Sequence, residues 1–142
     1  HKFSKSRATQ LEAQALGLHG NQSVFRIENV LHLHGKPVIH DKITISESMF
    51  PGLNQAAFNA RATTIYGYYQ AEFGVTIVEA DERVRAELIL ADSARLLNLN
   101  ESTPILRIDR VAHTFDRKPT ELRTSIVDTQ SFDYVSRMRE TK

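Results

Sequence analysis

The chain has no cysteine, which excludes a disulfide framework, a thiolate metal site and a thiol nucleophile at once. That absence suits a reducing cytoplasm. No apolar run approaches the roughly 20 residues that span a bilayer, and the amino end, His1-Lys-Phe-Ser-Lys-Ser-Arg7, lacks the apolar core of a secretion signal. An excess of one charge is missing too: eighteen basic and seventeen acidic residues are interspersed, for a net +1 at pH 7. A domain that grips DNA shows a basic stripe, because phosphate neutralisation supplies most of the affinity. With no such stripe, any DNA-reading part is expected outside these residues. The chain starts at His1 instead of methionine, as a fragment or a tag remnant would, and its 142 residues suffice for one domain with its own core.

What is present is an echo. Val24-Phe-Arg-Ile-Glu-Asn-Val-Leu-His-Leu-His34 returns 81 residues later as Ile105-Leu-Arg-Ile-Asp-Arg-Val-Ala-His-Thr-Phe115, and residues 13–34 share seven identities with 94–115. Lys-Pro follows each copy, at Lys36-Pro37 and at Lys118-Pro119, with one residue inserted in the second. A fixed period of this kind predicts two structurally equivalent halves, each a helix end, a left-handed cap, a strand and a hairpin.

Thr9-Gln-Leu-Glu12 has the spacing of a capping box, opening a short helix that stops at Gly17. From Val24 the period is two, with Phe25, Ile27, Leu31 and Leu33 on one face. Matching that face to Ile39, Ile43 and Ile45 on the return strand calls for a connection with an odd number of residues, which Gly35-Lys36-Pro37 supplies. Asn29 and Asp41 then interrupt one apolar face and lie close across the ladder. Residues 46–62 read as a surface crossing with a short helix after Pro51-Gly52. Thr63-Thr64 cap a helix from Ile65 to Phe73 that ends at Gly74. Val75 to Leu88 reads as one long bent strand, Asp92 as the cap of the second short helix, and Asn98 as the counterpart of Gly17. A four-residue loop, Asp116–Pro119, would put Glu121, Arg123, Ser125 and Val127 on the face of Ile108 and Arg110. Ser131 to Lys142 form a short helix or fray. Five strands, mostly antiparallel, with helices on one face give an α+β domain.

A buried asparagine and a bare carboxylate cost on the order of 1–3 kcal/mol or more unless satisfied. Asn29 and Asp41 therefore bond to each other or to backbone, lie where the face is partly wet, or face a ligand. His32 and His34 share a strand face with His40 and His113 as neighbours, but a solvated strand face accounts for them as well as a metal would, and no metal ligand set is assigned. Of Tyr66, Tyr68 and Tyr69, the first is placed at a pocket wall and the others in the core. Arg26 and Arg107 alternate with Glu28 and Asp109, which predicts cross-strand ion pairs on outward faces.

The helix end Ala94-Arg-Leu-Leu-Asn-Leu99, the run Pro104-Ile-Leu-Arg-Ile-Asp-Arg-Val111, Lys118-Pro-Thr-Glu121, Phe50-Pro-Gly-Leu53, Ile65-Tyr66 and Phe73-Gly74 together resemble the UTRA domain of HutC-type GntR transcription regulators, from about Thr9 to the end. The resemblance implies a chorismate-lyase-like fold: about six mostly antiparallel strands with helices packed beside them, one domain over residues 1–142. It implies an effector-binding, dimerising domain of a cytoplasmic repressor, preceded by a winged helix-turn-helix. In sugar-phosphate sensors of the family an Arg-x-Arg pair holds the anion. Here those positions are Asn29 and Leu31, the acidic position is Asp41, the helix-start hydroxyl is Thr64, the late glutamate is Glu121 and its aromatic companion is Val127. Tyr66, Arg110, Arg123 and Ser125 complete the expected lining.

Without both arginines the bidentate phosphate donors are gone, so the expected effector is a neutral or cationic metabolite with hydroxyl or amine groups. Arg110 or Arg123 would be the ones to hold a carboxylate. No cofactor is expected, and DNA is expected only through the preceding domain. Two other readings stand beside this one: a chorismate-lyase-like enzyme using Arg110, Arg123 and Glu121, and a structural dimer module without ligand.

Overall fold

The computed structural model describes residues 2–135; His1, and residues 136–142 of the tail expected to be helical or frayed, lie outside that range. Six strands form one antiparallel sheet in the order β1-β2-β3-β6-β5-β4, built from β1 (Lys2–Arg7), β2 (Ser23–Leu33), β3 (Lys36–Ser46), β4 (Glu79–Leu88), β5 (Pro104–Thr114) and β6 (Lys118–Val127). Helices α1 (Gln10–Leu16) and α4 (Ala91–Leu97) follow the edge strands, while α2 (Gln55–Asn59) and α3 (Ile65–Phe73) lie in the crossing between β3 and β4. The sixth strand is β1, whose polar, exposed sequence carries no apolar alternation.

The repeat is structural. Lys2 pairs with Glu28 in the first half, and the offset of 81 carries that pair onto Arg83 and Asp109, which face each other in the second. Both hairpins shift register at equivalent places, between Leu31 and His32 and between Ala112 and His113. The pseudo-twofold axis passes between β3 and β6, near Lys42 and Thr124, which are partners.

Those shifts correct the expected connections. The first turn is the two residues His34-Gly35, both with positive φ as a type I′ turn demands, and Lys36 and Pro37 already belong to β3. The register bulge then restores the parity that aligns the apolar faces, so Asn29 sits directly opposite Asp41. The second turn is Phe115–Arg117 instead of four residues, and again a bulge keeps Glu121, Arg123, Ser125 and Val127 on the face of Ile108 and Arg110.

Thr9 makes the full capping box and Gly17 takes the left-handed cap. The second copy differs: the cap position is Leu90, with no side-chain bond, and Asp92 lies inside the first turn, while Asn98 is left-handed like Gly17. Residues 75–78 are irregular, and β4 begins only at Glu79 and stays exposed along most of its length. Its alternation describes an edge strand, not a buried face. Residues 131–135 carry no regular element.

Helices cover both faces of the sheet, not one. On the first face α1 rests on β6 and α4 on β3, each helix crossing to the other half's central strand, with Ala13, Leu16 and Val24 buried on one side and Ala94, Leu97 and Ile105 on the other. On the second face the crossing packs Phe50, Leu53, Phe58, Tyr68 and Tyr69 against Phe25, Ile27, Ile43 and Ile45. That crossing is therefore core, where the sequence had suggested surface.

Candidate functional site

The crossing lies over one end of the β2–β3 ladder and leaves the other end open. A cavity of about 730 Å³ forms there, lined by Asn29, Val30, Leu31, Asp41, Asn59, Arg61, Thr64, Ile65, Tyr66 and Arg123. Its floor is one row of the sheet, Asn29 opposite Asp41 and Asp41 opposite Ser125. Its wall is the start of α3. Thr64 caps that helix by accepting from the Gly67 amide at 3.0 Å, and its own hydroxyl proton remains to be donated. Gly67 is small because a β-carbon there would lie 2.7 Å from the Thr63 hydroxyl oxygen.

Asp41 is 4% exposed. The Ser125 hydroxyl donates to one of its oxygens, and among the described residues no Lys, Arg or His forms an ion pair with it. A buried carboxylate that no cation of the described residues neutralises retains acceptor capacity towards the cavity.

Beside it stands a node in which the charges are matched. Glu121 is fully buried and accepts two bonds from the Arg123 guanidinium, at 2.9 and 3.0 Å. Tyr69 donates to it at 2.6 Å and Tyr66 at 3.2 Å. Arg110 donates to the Tyr66 oxygen at 3.2 Å and pairs with Glu82. Burial, followed by the Glu121 charge, pushes the Tyr66 phenol up, and pushes the Tyr69 phenol well above the usual tyrosine value. Burial works to discharge Arg123, yet the Glu121 carboxylate overrides it and holds the guanidinium charged far above the ordinary arginine value.

Of the residues named from the sequence, Asn29, Leu31, Asp41, Thr64, Tyr66 and Arg123 meet at the cavity. Ser125 reaches it through Asp41, Glu121 lies behind Tyr66 and Arg123, and Arg110 lies behind Tyr66. Val127 is buried between Ile39 and Leu106 and is not part of the lining. Sequence reasoning passed over Asn59 and Arg61, in a crossing that had no readable period. Arg61 anchors itself by donating to the Phe58 carbonyl at 2.9 Å and stacking 4.4 Å over the Phe58 ring. The expected strand-pair partners also need correcting: Arg26 reaches across to Glu12 on α1, and the face it occupies is covered, not outward.

The histidines do not converge. His34 sits in the turn and stacks on Phe132, while His40 is fully buried between Glu28 and Ser93. Among the described residues no group of three His, Asp or Glu side chains is placed to hold a metal ion.

The arrangement matches known proteins along most of its length. The ligand-binding domain ascribed to a GntR-family transcriptional regulator of Bordetella bronchiseptica superposes with a TM-score of 0.94 at 29% identity, covering 98% of this chain and 87% of that one. The effector domain of PhnF from Mycobacterium smegmatis shares the fold, with a TM-score of 0.84 at 20% identity over 98% of this chain and 84% of the other. An HTH-type transcriptional repressor of Salmonella typhimurium is 30% identical over 109 residues, 77% of this chain. The chain spans less than half, 44%, of that repressor's length. The model of the UTRA domain family matches residues 1–133, and this chain belongs to that family.

Proposed function

We propose that this domain is the effector sensor of a HutC-type bacterial transcriptional repressor, working as a cytoplasmic homodimer whose DNA-reading heads lie outside these residues. One observation carries the reading: a buried carboxylate, Asp41, opens onto a cavity with no protein cation paired to it among the described residues. The effector is a metabolite with amine or hydroxyl groups that takes up the free acceptor sites of Asp41 and bonds to Asn29 and Thr64. It acts by binding one dimer arrangement better than the other, which is the only way a ligand shifts such an equilibrium.

The lyase alternative needs arginines free for a dicarboxylate. Arg110 and Arg123 are each committed to a carboxylate of the protein itself, which favours the sensor. Thermal shift of the domain against a metabolite library tests the reading. Amine- and hydroxyl-bearing compounds are expected to raise the Tm, and Asp41→Asn to abolish the rise. If phosphorylated sugars are the chief stabilisers, the effector class is wrong.

A further inference from the structure

Resting on that reading, we infer that the effector is a zwitterion of the amino-acid class, its ammonium seated on Asp41 and its carboxylate on Arg61. Two charges in the lining remain uncompensated within the described structure, and they are of opposite sign. Asp41 accepts from the Ser125 hydroxyl, and among the described residues no cation forms an ion pair with it. Arg61 has only a backbone carbonyl and a ring face, and among the described residues no acid forms an ion pair with it. The third charged wall, Arg123, is neutralised by Glu121.

The sign pattern selects the ligand. A cation alone leaves Arg61 facing an apolar-walled cavity with no anion, and a phosphate dianion meets one fork of donors and a repelling carboxylate. A ligand with one charge of each sign satisfies both groups. A carboxylate fits a single guanidinium bidentately, and an ammonium brings three donors to an aspartate with acceptor sites to spare. Phe58, to which Arg61 is fixed, is fully buried, so the guanidinium is held and loses little freedom on binding. The volume exceeds what an amino-acid head group fills, and Leu31, Ile65 and Tyr66 line the remainder. A large apolar or aromatic side chain fits there.

Calorimetric titration of the domain with the proteinogenic L-amino acids tests this, alongside the N-acetyl and carboxamide derivatives of the tightest binder, glucose and glucose 6-phosphate. An amino acid with a large apolar side chain is expected to bind. Losing either charge should weaken binding about tenfold or more, as charged hydrogen bonds of about 1.5–3 kcal/mol imply. Arg61→Gln should weaken the amino acid and leave the carboxamide unchanged; Asp41→Asn should weaken the amino acid and leave the N-acetyl form unchanged. Circular dichroism and Tm of both variants separate lost binding from lost fold. If the derivatives bind as tightly as the parent, or Arg61→Gln binds like the unaltered chain, the inference fails. Binding of glucose that Asp41→Asn abolishes overturns the zwitterion and keeps the sensor. Silence across the whole panel overturns the zwitterion, and the sensor falls with it only if the metabolite-library thermal shift is silent too.

Discussion

The two halves superpose in register yet wire their charges differently, and the first face shows how little it takes. Arg26 and Arg107 are equivalent, as are Glu28 and Asp109. Arg26 leaves the sheet for Glu12 on α1, whereas Arg107 stays in it, on Asp109 and Glu87. The reason is the helix above: α4 has Ser93 where α1 has Glu12. Ser93 turns instead to His40 at 2.9 Å, and Glu28, released from its arginine, takes the other ring nitrogen at 2.8 Å. On the second face the contrast makes one site out of two potential ones. The counterparts of Ile39 and Asp41 are Glu121 and Arg123, so the second half neutralises itself while the first keeps an open carboxylate. Among the described residues the crossing 47–78 packs on that face, closing the neutralised node through Tyr66 and Tyr69 and leaving its cavity over the half with the open charge.

Transplanting residues between halves breaks the comparison most severely at Glu121. Glu121→Ile installs the first-half residue and strands Arg123, whose side chain is only 13% exposed. Removing one partner of a buried pair costs about 3–5 kcal/mol, which a urea titration reads directly. Adding Arg123→Leu should recover most of that loss, because the penalty lies in the unpaired charge and the two substitutions are strongly coupled. A single variant as stable as the unaltered chain would show that the node is not what fixes α3 to β6.

His40→Leu, the residue at the equivalent Leu122, is the next largest. It leaves the buried Ser93 hydroxyl without its partner and Glu28 without its imidazole, a loss of about 1–3 kcal/mol. Because Ser93 holds α4 onto β3, amide exchange should rise in α4 and not in α1. Ser93→Ala in the same chain should restore most of the stability; if it does not, the Ser93 bond is not the tie.

Much of this architecture was legible in the residues. The offset of 81, the caps at Thr9, Gly17, Thr64 and Gly74, and the juxtaposition of Asn29 with Asp41 all follow from local chemistry that a sequence carries openly. The bulges were not legible: each insertion compensates a turn shorter by one residue, so parity survives while loop length does not. Nor was β1, an edge strand that buries almost nothing, or Arg61, which reaches the cavity from a segment whose path is set by the burial of Phe50 and Phe58, not by any period. Partner choice was the deepest omission. Whether Arg26 bonds along its strand or up to a helix depends on the residue at position 12, and only the fold reveals that these face each other.

The smallest effect tests that last point and has a sign that pH can read. Burial works to raise the Glu12 carboxyl, but donors from Arg26 and Thr9 outweigh it and hold the group below its ordinary value. A carboxyl lowered in the folded state contributes stability that is present above about pH 4.5, where the unfolded chain ionises it, and is lost as pH falls through the folded value. Glu12→Ser, the α4 residue, should therefore flatten the acid limb of stability against pH, measured by urea titrations between pH 6 and 3. The difference is about 1 kcal/mol for this half-buried pair and shrinks with added salt. Arg26, deprived of Glu12, should then fold back onto Glu28 as Arg107 does onto Asp109, taking Glu28 from His40. A crystal structure of Glu12→Ser in which Arg26 stays away from Glu28 would mean that the helix residue does not select the arginine's partner, and the wiring of the two halves would need another cause.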